Sequence, residues 1–282
     1  MLIIKKSNDL SKYLGNSSLD GMSVGFVPTM GALHQGHMSL IKQARQQDKI
    51  TVCSIFVNPT QFNDPKDFEH YPKTIEQDIY MLEKEKCDVL FLPEVLDIYP
   101  EGTDNLSHYQ LGYLETVLEG KFRPNHFQGV CQVINRLMAI VNPDHLYLGQ
   151  KDYQQCMVIT KLLDIIQSKA GIIIVPTLRE PDGLAMSSRN RRLDETEREK
   201  APVIFKALSF IKKNIQPGVP FPVLEKAREM LIQHDLVPDY IEVANADTLE
   251  LVTDWDGKTK LVALIAAFMG KVRLIDNLNI TS

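Results

Sequence analysis

The chain offers chemistry first at Val24-Gly25-Phe26-Val27-Pro28-Thr29-Met30-Gly31-Ala32-Leu33-His34-Gln35-Gly36-His37, an apolar run entering a glycine-punctuated turn with two histidines three apart. Gly31 and Gly36 permit a tight turn and close backbone approach, and a helix starting there would aim unpaired N–H groups at an anion. His34 and His37 can face one side, and imidazole donors so placed suit phosphate oxygens, gaining value as charge grows at an α-phosphorus. Two plainer readings stay open, a pair of surface histidines and a metal pair still lacking a third ligand. Further along, Lys151 and Asp152 in Gly149-Gln150-Lys151-Asp152 could neutralise and orient phosphates, or merely cap a following helix. In Met186-Ser187-Ser188-Arg189, two hydroxyls and a planar guanidinium could wrap a leaving pyrophosphate.

These groups need a frame. From Leu2 to about Pro176, short apolar runs alternate with amphipathic stretches, predicting strands at Ser23–Val27, Ile50–Val57, Asp88–Leu92, His145–Leu148 and Ile172–Val175. Helices are predicted near His37–Gln47, Thr74–Lys86, Phe127–Val141 and Tyr153–Lys169. The alternation predicts an α/β fold, a doubly wound parallel sheet with ligands at the carboxyl ends of its strands. Residues 177–282 are expected to form a smaller α+β domain acting as a lid over a larger ligand-binding domain of residues 1–176. Its helices are expected near Glu195–Asn214 and Val223–His234, and its strands at Tyr240–Ala244, Leu261–Phe268 and Val272–Ile275. Gly183 is expected to give the intervening loop hinge freedom.

The glycine–histidine turn resembles the HxGH signature of the nucleotidyltransferase superfamily, which implies a Rossmann-like domain and ATP. Four more segments narrow the likeness: Phe56-Val57-Asn58-Pro59-Thr60-Gln61-Phe62, Phe122-Arg123-Pro124-Asn125-His126-Phe127-Gln128-Gly129-Val130, Gly149-Gln150-Lys151-Asp152-Tyr153-Gln154-Gln155, and the run from Arg179 to Asn190. Together, and in this order, they resemble the pantothenate synthetase family. The resemblance implies ATP-dependent condensation of (R)-pantoate with β-alanine through a pantoyl-adenylate, releasing AMP and pyrophosphate. It implies catalytic roles for His37, His34, Lys151 and Arg189. The ATP site would comprise Met30, Gly31, Ala32, Leu33, His34, Gln35, Gly36, His37, Gly149, Gln150, Lys151, Asp152, Leu178, Met186, Ser187, Ser188 and Arg189. Gln61, Gln155, Asn58 and His126 would meet pantoate and β-alanine. Mg²⁺ would arrive with ATP rather than in a protein metal site, and a homodimer is implied. The run His70-Tyr71-Pro72-Lys73-Thr74, with Asp78 beyond it, is open between a gate over the pocket and an ordinary turn capped at Thr74.

Composition bounds the alternatives. The 282 residues are 44% hydrophobic and 24% charged, an ordinary globular balance, with room for two cores. A net charge of -5 gives no general attraction to nucleic acid or anionic membrane. The four cysteines are widely spaced, pointing to free thiols in a reducing compartment, and the longest apolar run, Leu261 to Met269, is too short to span a bilayer. A cytoplasmic enzyme is expected. The rivals are an adenylyltransferase that moves AMP onto a phosphate and a module that senses ATP without consuming it.

Overall fold

Strands β1 (Leu2–Ile4), β2 (Val24–Thr29), β3 (Ile50–Ile55), β4 (Val89–Phe91), β5 (His145–Gly149) and β6 (Gly171–Val175) form one sheet in the order β1-β4-β3-β2-β5-β6. Every pair is parallel. The structure is a computed structural model describing residues 1–19, 21–62, 68–69 and 71–281. The chain divides into two compact units, residues 1–150 with 154–176, and residues 151–153 with 177–282.

In the first unit, side chains alternate between two cores, as the period of a strand demands. Phe26, Val52, Val89, Phe91, Leu146 and Leu148 face one way, packing with Leu10 and Leu14 of α1 (Ser7–Leu19) and with Phe127, Ile134 and Leu137 of α4 (His126–Val141). Val27, Cys53, Ile55, Leu90 and Tyr147 face the other, against Met38 and Ile41 of α2 (Gln35–Gln47) and Leu82 of α3 (Ile75–Lys84). A sheet covered on both faces explains why its strands read as continuous apolar runs.

Strand order reverses between β2 and β5. From β2 the chain moves through β3 to β4 on one side, then returns to place β5 and β6 on the other. The β2–β3 ladder holds from Val24↔Ile50 to Thr29↔Ile55, whereas β2 and β5 pair only at Gly25↔His145 and Phe26↔Leu146. Past that point the two strands share no ladder, so their carboxyl ends open a crevice at the switch point, where such sheets bind ligands. The turn after β2 carries the histidines, and Gly149 ends β5. At the amino end, buried Asp48 accepts from the Tyr147 hydroxyl at 2.6 Å and lies 2.8 Å from His145 Nδ1, tying α2 to β5.

The second unit is an antiparallel sheet, β7 (Leu236–Asn245), β8 (Leu261–Met269) and β9 (Val272–Asn279). Alternate residues of β8, from Leu261 to Met269, pack with Ile204, Leu208 and Ile211 of α6 (Val203–Asn214) and Ala227 and Leu231 of α7 (Phe221–Ile232). The helix expected from Glu195 to Asn214 is two, Glu195–Lys200 and α6, because Pro202 has no N–H to continue the ladder. Nor does Gly183 hinge freely. It sits at φ +95° in a turn closed by Glu180 N to Leu184 O, Gly183 N to Glu180 O and Met186 N to Leu178 O, with Phe205 packed where a β-carbon would fall. Among the described residues no helix is long and apolar enough to cross a membrane.

Candidate active site

The turn after β2 is built around backbone geometry that L-residues resist. Gly31 has φ +83° and Ala32 φ +49°, a left-handed pair that swings the chain from strand into helix. Ala32 and Leu33 are fully buried, so neither side chain can reach a nucleotide. Their N–H groups are spent as well, donating to Asp78 Oδ2 at 3.0 Å and Oδ1 at 2.8 Å.

The histidines close the start of α2 as a reciprocal cap. His34 Nδ1 accepts from Gly36 N at 3.1 Å, and His37 Nδ1 accepts from His34 N at 3.3 Å. An accepting Nδ1 must be unprotonated, which puts the ring proton on Nε2 of both residues. The rings lie 4.0 Å apart between centroids. Most backbone N–H groups expected to meet an anion are engaged within the protein. Gly36 donates into the cap, and His37 and Met38 donate to His34 O. The metal-pair reading gains no third ligand, since no His, Cys, Asp or Glu group of three that could hold an ion occurs among the described residues.

Gln61 stands on a single helical turn, Pro59–Gln61, after β3. Asn58 Nδ2 donates to its Oε1 at 3.2 Å, and Gln61 Nε2 points to Met30 Sδ at 3.1 Å, a weak acceptor. The amide is thus held with its N–H side toward Met30. Asn58 and His126, expected to touch substrate, also make hydrogen bonds within the protein. Buried Asn58 also donates to Gly129 O at 3.1 Å and accepts from Tyr99 Oη at 2.9 Å. His126 Nδ1–H donates to Gln61 O at 2.8 Å while its Nε2 accepts from Arg123 at 3.2 Å. Both residues fix Gln61. Gly129 of α4 permits this, because a β-carbon there would collide with Thr60 O.

The two adjacent glutamines at the start of α5 (Tyr153–Ile165) part company. Buried Gln154 bonds Glu119 N, Leu114 O and Val117 O, while the half-buried Gln155 amide has no hydrogen-bond partner among the described residues.

In the second unit Lys151, Ser187, Arg189, Asn190, Arg273 and Asp276 line one cleft. Ser187 Oγ caps the turn Ser188–Arg192 by accepting from Arg189 N at 3.3 Å, and Lys151 Nζ lies 3.6 Å from Asp152. The Leu178 carbonyl is taken by Met186 N. A buried ion pair underlies the cleft. Arg179 donates to both Asp276 oxygens, at 2.6 and 3.0 Å, stacks on Phe205, and reaches the carbonyls of Gly183 and Asn277. Burial pushes the Asp276 carboxyl above its ordinary range against the pull of Arg179. The Asn277 amide donates to Lys151 O at 2.9 Å, fixing the lysine backbone.

Sequence reasoning left Asp78 undecided and missed Asp276, Arg179 and Tyr99. For Asp78 a signal existed, since it falls with Ile75 and Leu82 on the apolar stripe of α3, where a carboxylate needs a reason. Thr74 begins that helix without a side-chain cap bond, its hydroxyl donating to Asp78 at 3.0 Å instead, and His70 lies outside the described residues.

Residues 2–279 match the family model described as pantoate-beta-alanine ligase. The chain belongs to the pantoate–β-alanine ligase family. As a member of that family it is a ligase that joins pantoate to β-alanine. Pantothenate synthetase of Cytophaga hutchinsonii is 44% identical over 281 residues, 99% of each chain, and that of Caldicellulosiruptor bescii 42% identical, covering 99% of this ligase and 98% of the relative. The crystal structure of pantothenate synthetase from Thermus thermophilus superposes with a TM-score of 0.92 at 36% identity, each chain fully covered. Pantoate-beta-alanine ligase from Francisella tularensis, solved in complex with beta-gamma ATP and beta-alanine, gives a TM-score of 0.83 at 38% identity over 100% of this ligase and 98% of that chain. The α/β sheet with its smaller C-terminal unit is thus the family fold.

Proposed function

We propose that this ligase activates pantoate with ATP as a pantoyl-adenylate, which β-alanine then intercepts. The carrying observation is the reciprocal histidine cap, which seats both imidazoles side by side just past the carboxyl end of β2. ATP and β-alanine are supported as ligands by the Francisella complex. Pantoate carboxylate oxygen attacks the α-phosphorus, the bond to the β-phosphate oxygen breaks, and pyrophosphate leaves with that electron pair. His34, His37, Lys151 and Arg189 lower the barrier by matching charge that grows on the phosphates. Met30, the Gly31–Gly36 turn, Gly149, Gln150, Asp152, Leu178, Met186, Ser187 and Ser188 complete the nucleotide contacts in this reading, with Gln35 beside them and Ala32 and Leu33 through their carbonyls alone. Gln61 and Gln155 hold pantoate. The neutral amine of β-alanine then attacks the acyl carbon and AMP departs. Family resemblance further supports a cytoplasmic homodimer, with Mg²⁺ entering as the counter-ion of ATP.

Pantoate labelled with ¹⁸O in its carboxylate tests this directly. One label should appear in the phosphate of AMP, and pantoate with ATP alone should release pyrophosphate stoichiometric with enzyme. ADP as product, or AMP without label, would overturn the adenylate.

A further inference from the structure

We propose that Asp78 is a positioning residue for the adenylation step, setting both imidazoles through the turn that precedes them. The inference rests on the reading that His34 and His37 act on the phosphates.

Asp78 is fully buried. Its carboxylate accepts three donors, Ala32 N at 3.0 Å, Leu33 N at 2.8 Å and the Thr74 hydroxyl at 3.0 Å. No cation lies within ion-pair distance of it among the described residues. A buried carboxylate without a counter-ion is costly, and it persists only where its hydrogen bonds are worth more than an apolar replacement. What those bonds hold is specific. Ala32 keeps a left-handed φ that an L-residue disfavours, and the Asp78 fork is what fixes it there. From the other side Gly31 N donates to Thr29 Oγ1 at 3.2 Å, and that hydroxyl donates to Ser54 O at 2.7 Å. A β-carbon on Gly31 would fall 3.1 Å from Asp78 Oδ2 and 3.0 Å from Ile55, so carboxylate and glycine form one packed unit.

The residue after this clamp is His34. Its backbone N–H bonds His37 Nδ1 and its own Nδ1 bonds Gly36 N, so the direction in which the chain leaves Leu33 decides whether the cap closes and where both Nε2–H groups point. Asp78 need not touch ATP. It acts through the backbone, and an asparagine cannot replace it, because one of the two backbone N–H groups would then face an amide NH₂.

The test compares wild type, Asp78→Asn, His37→Ala and the double variant, with Thr74→Val as a milder perturbation of the clamp. Histidine ¹⁵N spectra should show His34 and His37 locked in the Nε2–H tautomer in wild type and averaging in Asp78→Asn. Adenylation should fall about 100-fold, the cost of a misplacement near 1 Å, with the KM for pantoate unchanged. In the His37→Ala background the same substitution should cost little more, since coupled residues are not additive. Thr74→Val should show a smaller shift of the same kind, and it carries the test should Asp78→Asn fail to fold. An unchanged tautomer with an undiminished loss in the His37→Ala background would overturn the proposal and leave Asp78 as fold support. A lost tautomer lock combined with a full rate in His37→Ala would instead sink the histidines' role, while the positioning by Asp78 would stand on the spectra.

Discussion

Replacing His37 with alanine should slow pantoyl-adenylate formation by about 100- to 1,000-fold, the usual cost of one donor withdrawn from a developing charge. The substitution also removes the acceptor for His34 N–H, a helix-cap bond worth about 1 kcal/mol. Two measurements separate these effects. Denaturation should report the small cap loss, while single-turnover pyrophosphate release should report the large kinetic one. Because the missing donor serves the phosphates and not the acyl carbon, the second half-reaction, started from supplied pantoyl-adenylate, should stay within about tenfold of wild type. A near-normal first half-reaction would remove His37 from the mechanism.

The largest effect on stability is expected at Arg179. Its guanidinium bridges both oxygens of Asp276, whose side chain is 4% exposed, so Arg179→Met leaves a buried carboxylate without its cation. Breaking one side of such a pair costs about 3–5 kcal/mol at neutral pH. The pH dependence has a defined sign. Burial already raises the Asp276 carboxyl above its unfolded value, and the loss of Arg179 takes away the main opposing influence. Between the two values the folded state binds more protons than the unfolded state, so stability must fall as pH rises and recover on acidification. Urea unfolding followed by Trp255, which lies in the same unit, checks both magnitude and sign. A variant as stable at pH 7 as the wild type, or one that weakens on acidification through the carboxylate range, would contradict the assignment.

The strands were legible where burial on both faces wrote an unbroken apolar run, as from Val89 to Phe91. β1 and α1 were not foreseen. Leu2–Ile4 is too short to declare a period, and it becomes a strand only because β4 offers an edge at Leu2↔Val89. The turn after β2 could be read because glycine, histidine and strand stand together in sequence. The fate of its N–H groups could not, since their acceptor, Asp78, is supplied by a distant helix. Asn58 and His126 illustrate the same limit. Polar residues inside a recognisable segment read as ligand contacts, and their tertiary bonds to Gln61, Gly129 and Tyr99 are invisible in sequence. The pair Gln154 and Gln155 is the sharpest case, because two identical neighbours on one helix differ in burial and bonding, and only packing tells them apart.

Chance has given each unit its own reporter. All four thiols lie buried in the first unit, where burial pushes Cys87 and Cys131 up to about 12 and raises Cys53 well above the ordinary thiol value, so a soluble alkylating reagent must wait for that unit to open. The sole indole, Trp255, sits in the second unit with its Nε1–H on Thr259 O. Sulfur labelling and emission therefore follow the two halves independently, with no engineered probe, and any lag between them measures how cooperatively the whole chain melts.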